Sequence, residues 1–597
     1  MVSRLGGRLT LFVVIVAAGS LIFLLGLGRT GVVDETPALF AASARAMSES
    51  HDWLVPRVNG LPRYDKPPFV YWLMAAGYSL PGRMLWDPLG SLAARLPSAL
   101  ASIGVMLVLA DTLRRWPQAQ SRSGAGATAV RGAMAFALGP LALIWGRTEV
   151  SDALFSALLT LGLLLAWRSY AANHGPRWHW WPAIALATLT KGPVALILCA
   201  LILSLFAALQ GDRRRLVARL HPCRGLLLAT LAASPWYLAV LLREGEAYGR
   251  SFFGYHNLQR FTRVVNNHQQ SWWYFAAVLV LASLPFTPLL LLGLTRALRR
   301  LGPPAAPASL ARFAACWLLV VLVFFSLSAT KLPSYWLPAT PAAALLVCLS
   351  ITANEGRQDR AARLALAASA VLMLFMSAGL AAAPLWVPWI EDPSLPDLSS
   401  TLLSGPWLAV ASLIMLFSAL LAFGIASARR TTRLLQSQLA LALVVPLVVL
   451  PLMSRLDRQR GEPIRRLSAV ISEQRRQGES LAMVGLMKPS LHFYSHATVI
   501  YEGQSATALR NLDDRLRRER RPGLEASSAE RQPTVLLVID RDTVERRQWR
   551  DLAGRVLAVA EPYRLVRLER NWLEKRSRLL ARSGKRLTWQ DPRPERY

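Results

Sequence analysis

Apolar runs of about 17–25 residues recur along this chain, the length at which a helix crosses a bilayer with every backbone polar group bonded inside the segment. They fall near 9–28, 95–113, 131–147, 152–169, 193–210, 225–242, 273–294, 312–329, 335–351, 363–383, 404–426 and 434–453, with a shorter apolar stretch at 180–190. A soluble helical protein would have to bury all of them at once, and that class is set aside. The first run continues to Leu27 without a small-residue cleavage site, so it reads as an uncleaved anchor. The four cysteines show neither a disulfide framework nor metal-type spacing.

The net charge of +32 invites a nucleic-acid reading, and the placement of the charge argues against one. Arginines cluster in short loops between apolar runs: Arg114 and Arg115, Arg213 to Arg215, Arg296 and Arg299, Arg360 and Arg363, Arg429 and Arg430. Short basic loops mark the cytoplasmic side. With Arg4 and Arg8 also inside, all of these loops fall inside on one condition: the 180–210 stretch crosses twice, or enters and returns. The expected architecture is an α-helical polytopic membrane protein of about 13 transmembrane helices with its C-terminus outside. After Ser454 the composition turns polar. Short apolar runs at 481–486, 498–501, 534–540 and 556–559 alternate with helical-looking segments at 506–520 and 542–555, the pattern of a small α/β domain. The expected domains are therefore 1–454 in the membrane, with 29–94 as the first extracytoplasmic and catalytic loop, and 455–597 outside. Residues 521–533 read as a polar loop.

This topology sorts the remaining charges onto one face. Asp34, Glu35, Asp65 and Lys66 lie in the first outside loop, Arg147, Glu149 and Asp152 at the next outside turn, and Lys191 at the one after. His256 and Arg260 follow in a longer loop, and Lys331 in a last turn. Ionisable groups at such depth are functional by default. The chain has only six lysines, and three of them (Lys66, Lys191, Lys331) stand in outside turns beside proline. A compact ammonium enters where a planar guanidinium does not, and it binds phosphate as a point charge. Lys66, Lys191, Lys331, Arg147 and Arg260 can converge on a phosphate or pyrophosphate. Asp34 can act as general base on a hydroxyl or position an acceptor. Asp65 and His256 offer two ligands for a divalent metal, a weak signal from distant loops. Charges near one face and the lack of an internal repeat disfavour the alternative of a transporter or flippase of polyprenyl-linked glycans.

Several segments together resemble a known family. Asp34-Glu-Thr36, His51-Asp-Trp-Leu-Val-Pro-Arg-Val-Asn-Gly60, Asp65-Lys-Pro-Pro68 through Trp72, Arg95-Leu-Pro-Ser98, Leu189-Thr-Lys-Gly-Pro193, His256-Asn-Leu-Gln-Arg-Phe261 and Lys331-Leu-Pro-Ser-Tyr-Trp-Leu-Pro338 look like the bacterial 4-amino-4-deoxy-L-arabinose lipid A transferases. More broadly they resemble the protein O-mannosyltransferase-type GT-C glycosyltransferases, strongly over 1–350. The resemblance implies an inverting glycosyltransferase of a bacterial inner membrane with a periplasmic site and no nucleotide cofactor. Its donor would be a polyprenyl-phosphate sugar and its acceptor a lipid A-like glycolipid, another envelope glycan or a protein. It implies Asp34, Glu35 and Asp152 as catalytic acids, Lys66, Arg260 and Tyr335 at the donor phosphate, and Asp65 where the family often has a metal-binding glutamate. The chain departs from the family in two places. Pro37-Ala38 stands where the family carries Arg-Tyr, and Arg63 where it carries an aromatic residue. Both fall beside the expected reaction centre and bear on sugar and acceptor more than on transfer itself.

Overall fold

The computed structural model describes residues 2–116, 125–172, 179–265, 269–299, 305–352, 359–392, 395, 397–518, 532–581 and 586–589. Among them, seven helices are long and apolar enough to cross a membrane: Ser91–Arg115, Asp152–Ala171, Arg213–Thr262, Pro333–Ile351, Arg360–Ala381, Trp407–Ser427 and Leu435–Arg460. The pair Tyr274–Ala282 and Thr287–Arg299, bent by 113°, makes an eighth if it is one span. Four shorter apolar helices complete the set: Leu9–Leu24, Phe69–Tyr78, Val194–Gln210 and Leu310–Ser326. Three of these occupy expected spans but fall short of the ~20 residues of a full crossing. Phe69–Tyr78 lies in the stretch read as an outside loop. The polytopic helical class holds, with seven spans, or up to eight, supported by length and composition among the described residues.

The expected continuous run 131–147 is broken for a local reason, and the expected interruption between 180–190 and 193–210 is present. Ala125–Ala137 ends before Gly139, and Pro140, which has no N–H to give a preceding turn, starts a new helix to Trp145. The helices Trp181–Lys191 and Val194–Gln210 are separated at Gly192, whose φ of +93° only glycine adopts without strain. The Arg360–Ala381 and Trp407–Ser427 helices leave Phe375, Phe417, Leu420 and Phe423 exposed, as a lipid-facing surface requires.

The short strands β1 (Arg57–Val58) and β2 (Leu61–Pro62) form an antiparallel ladder around Asn59-Gly60, both with positive φ, in the Asn-Gly hairpin manner. The C-terminal domain holds β3 (Ser480–Val484), β4 (Val499–Glu502), β5 (Thr534–Asp540), β6 (Gly554–Ala560) and β7 (Tyr563–Glu569) in the order β4-β3-β5-β7-β6. β3 runs parallel to β4 and β5, and β7 antiparallel to β5 and β6. Period-two alternation feeds two cores. Leu481, Met483, Leu536 and Val538 pack on Ile464, Leu467 and Ile471 of the Glu462–Gln474 helix. Ala482, Val484, Leu537 and Ile539 pack on Leu509 and Leu512 of the Ala508–Arg518 helix. The four expected strands form. β7 was not expected, because Arg564 and Arg567 interrupt its apolar residues and disguise a buried strand. The expected helix over 542–555 is corrected to the four-residue helix Arg541–Val544 followed by turns, with β6 beginning at Gly554. Residues 519–531, most of the expected polar loop, lie outside the described residues.

Candidate active site

Three lysines chosen from sequence sit in short turns at helix ends, and two of them share one electrostatic neighbourhood. Lys66 precedes Pro67-Pro68 and the helix Phe69–Tyr78. Its Nζ donates to the Asp65 carbonyl at 2.9 Å and lies 4.0 Å from Asp65 Oδ2. Burial pushes the Lys66 ammonium down to about 8; Asp65 and Asp152 oppose that shift, and Arg260 and Lys191 add to it. Lys191 ends its helix beside Gly192, and its Nζ donates to Asp152 Oδ1 at 2.7 Å. The same Nζ lies 5.3 Å from the Phe155 ring centroid and 5.5 Å from that of Tyr335. The segment 328–331 is laced to 260–265: Thr330 N donates to Arg260 O at 3.2 Å and Ala329 N to Phe261 O at 2.9 Å. Lys331 is buried and donates to Ser328 O at 2.8 Å. The fold thus assembles Lys66, Lys191, Asp152, Arg260 and Tyr335, with Lys331 on the turn bonded to the short helix Arg260–Thr262.

Asp65 lies at the base of this cluster. Arg63 Nε donates to its Oδ1 and Arg63 Nη2 to its Oδ2, both at 2.7 Å, and the Tyr71 hydroxyl donates to Oδ1 at 3.1 Å. The Arg63 guanidinium also stacks 4.7 Å from the Phe40 ring centroid. Burial alone would raise the Asp65 carboxyl; Arg63 and Lys66 outweigh it and hold the group well below the ordinary range. His256 lies within electrostatic reach of Asp65. The expected Asp65–His256 metal pair does not fit. The fork of Arg63 covers both carboxylate oxygens, and no group of three His, Cys, Asp or Glu suited to a metal occurs among the described residues.

Asp34 is held by the C-terminal domain. Its Oδ1 accepts from Ser490 N at 2.8 Å and its Oδ2 from the Ser490 hydroxyl at 2.9 Å, at the start of the helix Ser490–Ser495. Burial raises the Asp34 carboxyl, against the pull of Lys488 and the Ser490 bonds, so it is a more basic carboxylate than one in water. The rest of the first loop is clamped by the same element. Val32 N donates to the Tyr494 hydroxyl at 2.8 Å, and Arg45 bonds to the Phe493 carbonyl. Asn59 exchanges two 2.7 Å bonds with Val499, and its N–H donates to His492 Nε2 at 2.9 Å. From the membrane side, Arg95 donates to the carbonyls of Leu27 and Gly31 and to Glu149, while Glu149 accepts from Val33 N. Asp34 therefore lies between two rigid anchors.

Among the other expected residues, Glu35 is exposed at the start of the Thr36–Ser50 helix. Asp152 is the ion-pair partner of Lys191, which gives it an orienting role toward that lysine. Arg147, expected at the phosphate, is engaged elsewhere: its Nη1 and Nη2 donate to the carbonyls of Ile22 and Leu25, so it caps the end of the first helix. Three further residues matter that sequence reading did not select: Arg63, Ser490 and Lys488. Lys488 carried a usable signal, since it too stands beside a proline, Pro489.

Residues 65–238 match the dolichyl-phosphate-mannose-protein mannosyltransferase model, and residues 474–584 match the C-terminal domain of cyanobacterial RgtA-type glycosyltransferases. An undecaprenyl phosphate-alpha-4-amino-4-deoxy-L-arabinose arabinosyl transferase of Pseudomonas paraeruginosa is 30% identical over 415 residues, 67% of this chain and 70% of the relative. The chain belongs to this arabinosyl transferase family of GT-C glycosyltransferases. A Pseudomonas aeruginosa member is 30% identical over 350 residues, 57% of this chain and 59% of its own length. The crystal structure of the Cupriavidus metallidurans family member ArnT bound to undecaprenyl phosphate superposes with a TM-score of 0.72 at 22% identity, covering 93% of this chain and 97% of that one. The GT-C fold, membrane region and small sheet domain together, is thereby shared with the family.

Proposed function

We propose that this chain transfers one sugar from a polyprenyl-phosphate donor, undecaprenyl phosphate-linked as in its relatives' names, to an acceptor oxygen at the periplasmic face of a bacterial inner membrane. The observation that carries the reading is the gathering of Lys66, Lys191 and Arg260 in one electrostatic neighbourhood, with Tyr335 beside Lys191. In the step, the acceptor oxygen attacks the anomeric carbon from the face opposite the phosphate. The carbon–oxygen bond to phosphate breaks, and the polyprenyl phosphate leaves with the electron pair, giving inversion. Lys66 and Arg260 meet the charge that grows on the leaving oxygen, the stabilisation that counts most in a water-poor site. A hydroxyl acceptor gives its proton to Asp34, whose raised pKa suits a base. A phosphate acceptor is already ionised and needs no base.

The test compares purified wild type with Asp34→Asn in detergent, using a labelled polyprenyl-phosphate sugar and an envelope lipid extract. Mass spectrometry should show a new glycoconjugate and released polyprenyl phosphate with wild type only, while both proteins bind the carrier. Undiminished transfer by Asp34→Asn refutes the base, and movement of labelled lipid across vesicles without a new glycoside refutes the transferase reading.

A further inference from the structure

Arg63, set apart in the sequence as a departure beside the expected reaction centre, closes on Asp65. A carboxylate offers about four lone-pair positions. At Asp65, Oδ1 accepts from Arg63 Nε at 2.7 Å and from the Tyr71 hydroxyl at 3.1 Å. Oδ2 accepts from Arg63 Nη2 at 2.7 Å and faces Lys66 Nζ at 4.0 Å. The planar fork matches the carboxylate edge to edge, the geometry in which arginine binds most strongly. It is also buried, at 2% exposure, and stacked on Phe40, so it is fixed before any ligand arrives. A divalent ion on Asp65 would have to break the buried Arg63–Asp65 pair, and breaking a buried pair is strongly destabilising.

We propose that Arg63 is a resident cation that takes the place of a divalent metal beside the donor site, and that this glycosyltransferase works without one. The charges agree with this, given the donor-site reading above. Arg63 is matched by Asp65 and Lys191 by Asp152. Asp65, locked by Arg63, presents its backbone carbonyl to Lys66 and so fixes the ammonium that meets the phosphate. Arg63 is thus a positioning residue for Lys66, carried by the polypeptide and indifferent to metal supply.

The experiment measures bound metal and transfer on the same purified protein. Elemental analysis after gel filtration should find far less than one equivalent of zinc, manganese, magnesium or calcium, and titration of Zn2+ or Mn2+ should show no site that Asp65→Asn removes. Chelator treatment should leave turnover within about twofold, too small a change for the loss of a Lewis acid. Arg63→Ala, if folded, should lose at least about tenfold in turnover, the scale of one displaced positioning group. One equivalent of metal lost in Asp65→Asn, or chelator inactivation reversed by metal, overturns the proposal. So does full turnover in a folded Arg63→Ala. The metal measurements need no turnover, so they decide this point even if the transfer reading fails.

Discussion

Raising the pH from 7 to 9 should strip the charge from Lys66. The Lys66 ammonium is buried among Arg260, Lys191 and Asp65 and is pushed down to about 8. Such a group is about 90% charged at pH 7 and about 10% charged at pH 9, whereas an ordinary lysine at about 10.4 stays almost fully charged across that range. If only the ammonium form grips the phosphate, kcat/KM for the donor falls about tenfold between pH 7 and pH 9, because that ratio reports the free enzyme. Bound phosphate adds a negative charge beside Nζ, which moves the same titration upward, so the fall in kcat starts at higher pH. The assay is initial-rate transfer in detergent over pH 6–10 at fixed ionic strength. Lys66→Arg supplies the control: a guanidinium does not titrate in this range, so the alkaline limb should vanish, while the wider, planar group lowers the rate at every pH. A flat wild-type profile to pH 9.5, or an alkaline limb that survives in Lys66→Arg, would refute the assignment.

Three other perturbations probe the anchors. Glu149→Gln leaves Arg95 buried without its partner and should cost about 3–5 kcal/mol, read as a lowered melting temperature in detergent together with lost transfer. Ser490→Ala removes a hydroxyl that stabilises the charged form of Asp34, so the acid limb of a hydroxyl-directed transfer should move to higher pH; a stationary limb would dissociate Ser490 from the base. His492 is held neutral mainly by burial, its Nε2 accepting from Asn59 and its Nδ1 bonded to the Ala497 carbonyl. With its folded pKa below the ordinary histidine value, its contribution is present above about pH 6.5 and lost as pH falls. Thermal stability should therefore drop between pH 7.5 and 5.5 in wild type and drop less in His492→Gln.

How much was legible beforehand differed by element. Lys66, Lys191 and Lys331 could be chosen because a chain rich in arginine had written lysine beside proline at turns read as outside. The same reasoning should have reached Lys488, and missed it because the residue lies beyond the membrane region. Arg63 was visible as an oddity, but nothing in its neighbours said that its fork would close on Asp65. Arg147 was misjudged because a cation at an outside turn serves a helix end as readily as a phosphate, and only the position of the Ile22 and Leu25 carbonyls distinguishes the two.

The sequence by itself determined the solvent of this protein and the alternation of its C-terminal strands. Each of these follows from hydrophobicity and charge at short separations along the chain. Tertiary structure alone decided which acid meets which base. Asp34 and Ser490 stand 456 residues apart, and no periodicity of either segment encodes their pairing. A hydrogen bond is directional and effective only within about 3 Å, so a pairing of that kind is settled by how the domains pack.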